Sequence, residues 1–570
     1  MLLRMSARDL LPCLLGISGS LLWAGTGCKP TSPMMTPSPA AAAAPAPKTV
    51  RIVATASLHG TTEPCGCTSD PLGDLARIAG VARGGLWLDA GDLLYDADPP
   101  ARGRRAQADL KAGTISRVYE AARAESALGP SDLYSYNGAA KLALPRQACN
   151  AASDILGIKD AAPVVREVSG LRVGVFGVVD PARYLATRQR LPLHERATPA
   201  PPEAAATGAQ RAVDKLKTDG AEIVVALLAM NRAEARKVLL AAPGIDFGII
   251  GLEVEDGMPE AEPVGQGWLL APADQGRRVA LLEIIRRDAP SRVHVALTQF
   301  AGEAGRAREA ERIAKRRAAL EAQLRAWRAD PSADASFIAA RQAELDALLK
   351  AGAPAAAAPP PGPYFTYALV PIKRALPRDP AVADALKLLD REIGRTNLAA
   401  AANEPPPPAD AKQATYVGDA ACVRCHKTAA AFWQKTQHAR AWQTLVTAEK
   451  QYNYDCIGCH VTGWQQPGGS NLGTVEKRGL VNVQCEVCHG PGSKHVAEDG
   501  MDEPKTMAKS PPDDLCRGRC HTTEHSDTFD LVPYLRDVLG AGHGEERRKA
   551  LGDGPTAHEL KAKATAEAKK

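Results

Sequence analysis

The chain has 570 residues, 45% of them hydrophobic and only 4% aromatic. That is enough to bury several cores and suggests about three domains, with interiors built mainly from Val, Leu, Ile and Ala. The formal net charge of +5 gives no reason to expect a nucleic-acid partner.

At the start, Arg4 and Arg8 precede an apolar stretch from Leu10 to Trp23, and Ala24, Gly25, Thr26 and Gly27 lead into Cys28. The order basic, apolar, small predicts a secretory signal over residues 1–27 with a lipoprotein-type cleavage site. Cys28 would then carry lipid and anchor the protein to a membrane. Pro12 and Gly16 break the apolar stretch, which is too short to span a bilayer. Gly25 stands where a large aliphatic residue is usual, and the alternative is ordinary cleavage that leaves a free cysteine. Either processing exports the protein to the periplasm or cell envelope. A Pro/Ala-rich tether follows over 28–48.

Residues 49–300 alternate between short β-branched or aliphatic runs and Ala/Arg/Lys-rich helical stretches, which predicts an α/β domain. The runs are Val50 to Ala56, Gly85 to Asp89, Leu171 to Val179, Glu222 to Leu228 and Phe247 to Gly251; the helical stretches include Glu203 to Thr218 and Arg232 to Ala242. Ser57-Leu58-His59-Gly60, Asp89-Ala90-Gly91-Asp92, Leu171 to Asp180 and Gln275-Gly276-Arg277 resemble the calcineurin-like metallophosphatase fold of 5′-nucleotidases. The resemblance implies a sandwich fold and two divalent metals that activate water against a phosphate.

The ligand set implied by that family is largely replaced. Ser57 stands where its first aspartate belongs, and Gly129-Pro130-Ser131-Asp132 takes the place of its Gly-Asn-His. Met230-Asn231 and Gly251-Leu252-Glu253 fall where later histidines are expected. His59 and Asp92 remain as residual ligands, too few to hold two dications, so a domain without phosphatase activity is expected. Cys65, Cys67 and Cys149 are left over in this domain. In an oxidising compartment one disulfide and a spare thiol is the favoured reading, and a metal or redox site the alternative.

Residues 303–400 read as a helical segment with a Pro/Ala linker. Ile313, Leu320, Leu324, Trp327, Ile338, Leu345 and Leu348 recur at helical spacing around Asp330-Pro331, predicting a helical hairpin. A further helix is expected over Pro380 to Leu398, and four prolines, Pro405 to Pro408, mark a second linker.

Over residues 411–545 lie four cysteine pairs, each followed directly by a histidine: Cys422, Cys425, His426; Cys456, Cys459, His460; Cys485, Cys488, His489; and Cys516, Cys520, His521. Three follow C-x-x-C-H and the fourth has one residue more. Two thiols so spaced can add to the two vinyl groups of one haem, and the adjacent histidine then lies under the iron. Zinc is the alternative for paired cysteines, but a histidine after every pair on an exported chain favours covalent haem c, four per chain.

Tyr416 to Cys422, Trp433 to His438, Cys459 to Gly463, Val483 to His495 and Cys520 to Ser526 resemble the tetrahaem cytochrome c-554 family, which includes the electron acceptor of hydroxylamine oxidoreductase. The resemblance implies a mainly α-helical tetrahaem domain, with His438, His495 and His543 as distal-ligand candidates. His525, His558, Met501 and Met507 are weaker candidates. It also implies one five-coordinate haem, which chain order places at His460. Bis-histidine ligation lacks the methionine that raises potential in cytochromes c. The tail over 546–570 is charged and Ala/Lys-rich, consistent with a frayed helix or disorder.

The resulting expectation is an exported multihaem cytochrome that passes electrons between redox protein donors and acceptors, carrying a metallophosphatase-like module without activity. Alternatives are a metal-dependent phosphoesterase fused to a cytochrome, and a reductase of a small nitrogen compound at a five-coordinate haem.

Overall fold

The computed structural model describes residues 48–567 apart from 65–67, 69–70, 135–143, 152–161, 191–201, 253–254, 287–296, 330–333, 352–357, 403, 503–504, 523–524 and 527–528. The expected signal, Cys28 and its tether up to residue 47, together with Cys65, Cys67 and Glu253, lie outside the described residues.

The first part runs β1 (Lys48–Thr55), α1 (Leu75–Ala82), β2 (Leu86–Asp89), α2 (Arg105–Ala121), β3 (Glu125–Ala127), β4 (Arg146–Gln147), β5 (Val164–Val168) and β6 (Leu171–Val179). It continues with α3 (Pro181–Arg190), α4 (Ala205–Thr218), β7 (Ile223–Ala229), α5 (Arg232–Ala241), β8 (Phe247–Ile250), β9 (Glu262–Val264), β10 (Gly267–Leu270) and β11 (Arg278–Arg286). After these come β12 (Thr298–Gln299), α6 (Gly302–Arg328), α7 (Ala335–Ala351), β13 (Tyr364–Pro371) and α8 (Pro380–Ala401).

Two sheets result, in the orders β12-β13-β11-β1-β2-β3-β4 and β5-β6-β7-β8-β10-β9. Alternation along the strands makes the layers. In β1, Val50, Ile52 and Ala54 face the interior between the sheets while Val53 faces α1, α2 and α8. In β7, Val225 and Leu227 point inward and Val224, Ala226 and Leu228 point to α4 and α5. Side chains with period two thus feed two cores at once, giving a helix, sheet, sheet, helix sandwich.

The segment 303–400 is more than a helical spacer. Its β13 pairs antiparallel with Arg278 to Ile285 of β11, and α8 buries Leu386, Leu389 and Ile393 in the same core as α1 and α2. The sequence period of β13 is obscured by the Pro/Ala run before it, and only the sheet edge left open by β11 recruits it. Asp379 caps α8 by accepting from Val382 N, with Pro380 in the first turn. Meanwhile α6 and α7 pair through Leu320, Leu324 and Leu345.

The C-terminal part is a string of short helices: α9 (Asp419–Val423), α10 (Lys427–Trp433), α11 (Ala441–Thr447), α12 (Tyr454–Ile457), α13 (Cys485–His489), α14 (Ser493–Ala497), α15 (Asp514–Arg519), α16 (Leu531–Val538), α17 (Glu545–Ala550) and α18 (Ala557–Glu567). Isolated helices this short are unstable in water, and the largest apolar cluster here is small, around Tyr416, Tyr454, Ile457, Val475 and Leu480. The tail is more ordered than its composition suggests. His558 N donates to Asp537 Oδ2 at 2.9 Å, fastening α18 to α16, and Arg536 Nη2 donates to Leu551 O at 2.8 Å, fastening the end of α17 to α16. No helix among the described residues is long and apolar enough to cross a membrane.

Candidate cofactor cavity

Each cysteine–histidine motif sits on a helical turn, and the turn decides where its side chains point. In the first, His426 N donates to Cys422 O at 2.9 Å, a single α-turn that brings Cys422, Cys425 and His426 to one side. In the fourth, His521 N still reaches Cys516 O at 2.9 Å, and Cys520 N reaches the same carbonyl at 3.3 Å. The additional residue widens the turn, as in a π-type closure, and keeps the relation of first cysteine to histidine. The third motif lies wholly within α13, and in the second His460 N bonds Ile457 O at 2.9 Å.

All eight motif cysteines line one cavity of about 3380 Å³, together with His426, His460, His489, His521, His438, His495, His543 and His525. Pockets for one small ligand hold roughly 300–1,000 Å³, so this space accommodates several large groups. The Cys422 thiol lies beside that of Cys485, and Cys459 beside Cys520, while Cys422 Sγ donates to Gly418 O at 3.7 Å and Cys459 Sγ to Arg519 O at 3.9 Å. The first motif therefore abuts the third and the second abuts the fourth.

The imidazoles are paired. Ring centroids lie 6.4 Å apart for His426 and His495, 5.9 Å for His489 and His543, and 6.3 Å for His438 and His521. With metal–imidazole bonds of about 2.0–2.1 Å, two imidazoles on opposite sides of one metal ion have centroids roughly 6 Å apart. His460 forms no such pair among the described residues. His525 forms none either, and its Nδ1 is buried without a hydrogen-bond partner.

The second ring nitrogen of several histidines supports the same use. Nδ1 contacts a backbone carbonyl in His460 (Ala441 O, 2.7 Å), His489 (Ala508 O, 2.6 Å) and His543 (Val538 O, 2.7 Å). A carbonyl only accepts, so Nδ1 carries the proton and Nε2 keeps a lone pair for a metal. Burial pushes His521 down to about 4 and also lowers His438 and His489, which keeps these rings in the neutral, ligating form at pH 7. Haem fits this donor set. Zinc does not, because among the described residues no three His, Cys, Asp or Glu side chains converge on a point where an ion could sit.

Two acidic residues that motif spacing does not single out organise the cavity. Glu486, inside the third motif and 1% exposed, accepts from Val417 N at 3.0 Å, Gly418 N at 2.8 Å and Gly492 N at 2.8 Å. It joins the chain ahead of the first motif to the third. Asp502 accepts from Thr506 N, which holds its carboxyl down to about 2, and lies 3.4 Å from His495 Nδ1. Their role is tertiary, so no local pattern marks them. Trp433 lines the cavity and donates Nε1–H to Val483 O at 2.9 Å, whereas Trp442 and Trp464 pack against the small apolar core.

In the α/β part, His59 lines the same cavity as the paired imidazoles without pairing with any of them among the described residues, and Asp92 does not line it. Asp92 Oδ1 accepts from Ser131 N at 2.7 Å and Ser131 Oγ at 2.8 Å, and burial followed by the charge of Asp132 pushes it up to about 6. Ser57 Oγ donates to Gly251 O, and His59 Nδ1 lies 3.4 Å from Tyr95 O. Asn231 is used as the cap of α5, accepting from Glu234 N at 3.0 Å. Ser57, His59 and Asp92 all have positive φ, 48°, 52° and 53°, a conformation that costs non-glycine residues energy. The residues here do not fit a dinuclear metal centre, since among the described residues no three His, Cys, Asp or Glu side chains come together to hold an ion. Cys149 is in no disulfide, and burial pushes its thiol up to about 12, so it is a poor ligand and nucleophile.

Comparison with known proteins gives matches to both halves. The family described as cytochrome c554 and c-prime matches residues 421–490. Cytochrome c-554 of Nitrosomonas europaea is 34% identical over 125 residues, 19% of this chain and 53% of that protein, so the chain spans about half the length of this relative. The crystal structure of reduced cytochrome c554 from the same organism is 24% identical, covering 22% of this chain and 83% of that one with a TM-score of 0.18. A 5′-nucleotidase precursor from Thermus thermophilus is 16% identical, covering 65% of this chain and 61% of that one with a TM-score of 0.37. A calcineurin-like phosphoesterase from Bacillus subtilis is 18% identical, covering 43% and 87% with a TM-score of 0.34. Residues 421–490 thus carry the signature of the cytochrome c554 and c-prime family, which implies covalently bound haem c in the C-terminal region.

Proposed function

We propose that the C-terminal region is a tetrahaem cytochrome that relays electrons between redox proteins outside the cytoplasm, and that the α/β region is a module without phosphoesterase activity. The observation that carries this reading is the set of three imidazole pairs at centroid separations of 5.9–6.4 Å inside a cavity lined by all eight motif cysteines. Haem c, when bound, supplies a one-electron couple at each iron.

The chain's own residues do the rest. The thiols of each motif would hold one haem covalently, with His426, His489 and His521 available as ligands to its iron, and His495, His543 and His438, in that order, as their partner ligands. Backbone carbonyls and Asp502 orient the rings. Neutral imidazole on both sides favours potentials below those of histidine–methionine cytochromes. The abutting thiols, Cys422 with Cys485 and Cys459 with Cys520, set attachment points close enough for neighbouring groups to exchange electrons. Export through the signal and lipidation at Cys28 would place the relay at a membrane surface of the cell envelope.

His460 has no paired imidazole among the described residues, which favours a second reading, in which a haem held there would be open to a small nitrogen compound as ligand and electron acceptor.

Intact mass and a pyridine haemochrome spectrum of the full chain, expressed with a c-type maturation system, test the proposal. Four covalent haems are expected, three in Cys516→Ser, and one carbon monoxide bound per reduced chain. A protein without covalent haem refutes it.

A further inference from the structure

The chain from Pro47 to Lys570 forms one compact unit, and the haem cavity is not closed by the cytochrome region alone. One face of α2 and the turn before it, Arg104, Gln107, Ala108 and Lys111, lines the same cavity as the second motif. These positions recur at helical spacing, so a single edge of the helix is turned to the cytochrome.

Gln107 is 3% exposed and uses its whole amide. Its Nε2 donates to Asn453 Oδ1 at 2.9 Å and to Asp455 Oδ2 at 3.0 Å, and its Oε1 accepts from Asn397 Nδ2 at 2.7 Å and from Tyr454 N at 3.1 Å. Both hydrogens and both lone pairs are spent. What they hold is the start of α12, the four-residue turn that carries Cys456. A helix of that length cannot persist unaided. Its cap Asn453, accepting from Asp455 N at 2.9 Å, and its first free amide, Tyr454 N, are both tied to Gln107 of the α/β part. Beside this hub Lys111 pairs with Asp455. Lys450, which lines the same cavity as Cys456, pairs with Glu63 and lies 3.4 Å from Asp390.

We propose that this face of α2 is a positioning and redox-tuning wall for the haem at Cys456 and Cys459, the one whose His460 has no paired imidazole. The inference rests on the haem reading above and adds that the α/β module serves as part of the haem site. Gln107 fixes the attachment turn, and the Lys111–Asp455 pair sets the local potential by placing one positive and one negative group beside it. A ferric haem carries one more positive charge than a ferrous one, so a nearby cation favours reduction and a nearby anion opposes it.

The test uses the full holoprotein, with spectropotentiometry and electron paramagnetic resonance separating the high-spin haem from the three low-spin ones. Lys111→Met should lower the midpoint potential of the high-spin haem, Asp455→Asn should raise it, and the double variant should return it close to the parent value, all without moving the other three. Gln107→Leu, which keeps the volume and removes the bonds, should broaden and shift the high-spin signal, while Gln107→Asn at a shorter reach should do so less. If the parent carries four haems and neither charge variant moves the high-spin potential, or all four move alike, the wall is refuted while the tetrahaem reading stands. A parent with no haem at Cys456 and Cys459 overturns both.

Discussion

Removing Glu486 should unfasten the cytochrome region at its centre. Its carboxylate is buried and accepts three backbone N–H groups, from Val417, Gly418 and Gly492. Glu486→Ala leaves these three donors without their acceptor, those of Gly418 and Gly492 buried and that of Val417 part-buried. Each unmet buried donor costs about 1–3 kcal/mol, so the two buried ones cost on the order of 2–6 kcal/mol. That is a large fraction of the roughly 5–15 kcal/mol that keeps a domain folded. Glu486→Gln keeps the shape but turns one acceptor oxygen into a donor, so an intermediate loss is expected. Because the Cys422 thiol touches Cys485, haem loading should fall at the first and third motifs together. Denaturant unfolding followed by haem absorbance, with intact mass counting haems, reads both effects. A Glu486→Ala protein with full haem content and a stability loss below about 1 kcal/mol, less than a single unmet donor would cost, would refute the reasoning.

His438→Met, His495→Met and His543→Met should each raise the potential of one haem and leave the others, because thioether ligation favours the ferrous state; potentiometric titration decides, and three unchanged curves would remove these residues as ligands. With manganese or zinc added, the full chain should hydrolyse neither nucleotides nor a generic phosphodiester, since the remaining His59 and Asp92 cannot generate a metal-bound hydroxide. About two divalent metals by elemental analysis, with turnover that is lost in Asp92→Ala, would contradict this. Asp89 should make the α/β part lose stability as pH rises. Burial pushes its carboxyl up to about 7 despite donors from Thr55 and Gly91, so the folded state holds a proton that the unfolded state releases above about pH 4. This contribution is fully present below pH 4 and is lost as pH climbs to about 7. Urea midpoints at pH 5 and pH 7.5 should therefore differ more in the parent than in Asp89→Asn, and equal differences would count against the shift.

The parts legible in the sequence are those whose chemistry is local. Two thiols and a histidine on one turn reach a haem wherever that turn is placed, so Cys422 to His426 and its counterparts stand out without a fold. The short β-branched run from Val50 to Ala56 likewise marks a strand, because such side chains fit a pleated, buried surface.

Other features depend on groups far apart in the chain. That β13 completes the first sheet depends on the free edge of β11, which lies well before it in the chain beyond two intervening helices. Which imidazole faces which, His495 with His426 or His543 with His489, is settled by how short helices stack. Burial turns Glu486 and Gln107 from ordinary polar residues into organisers, because a buried carboxylate or amide must satisfy its hydrogen-bonding capacity and so fixes whatever it binds. Gln107 and Tyr454 are separated by 347 positions, and only tertiary folding makes the start of one helix depend on a side chain from another domain.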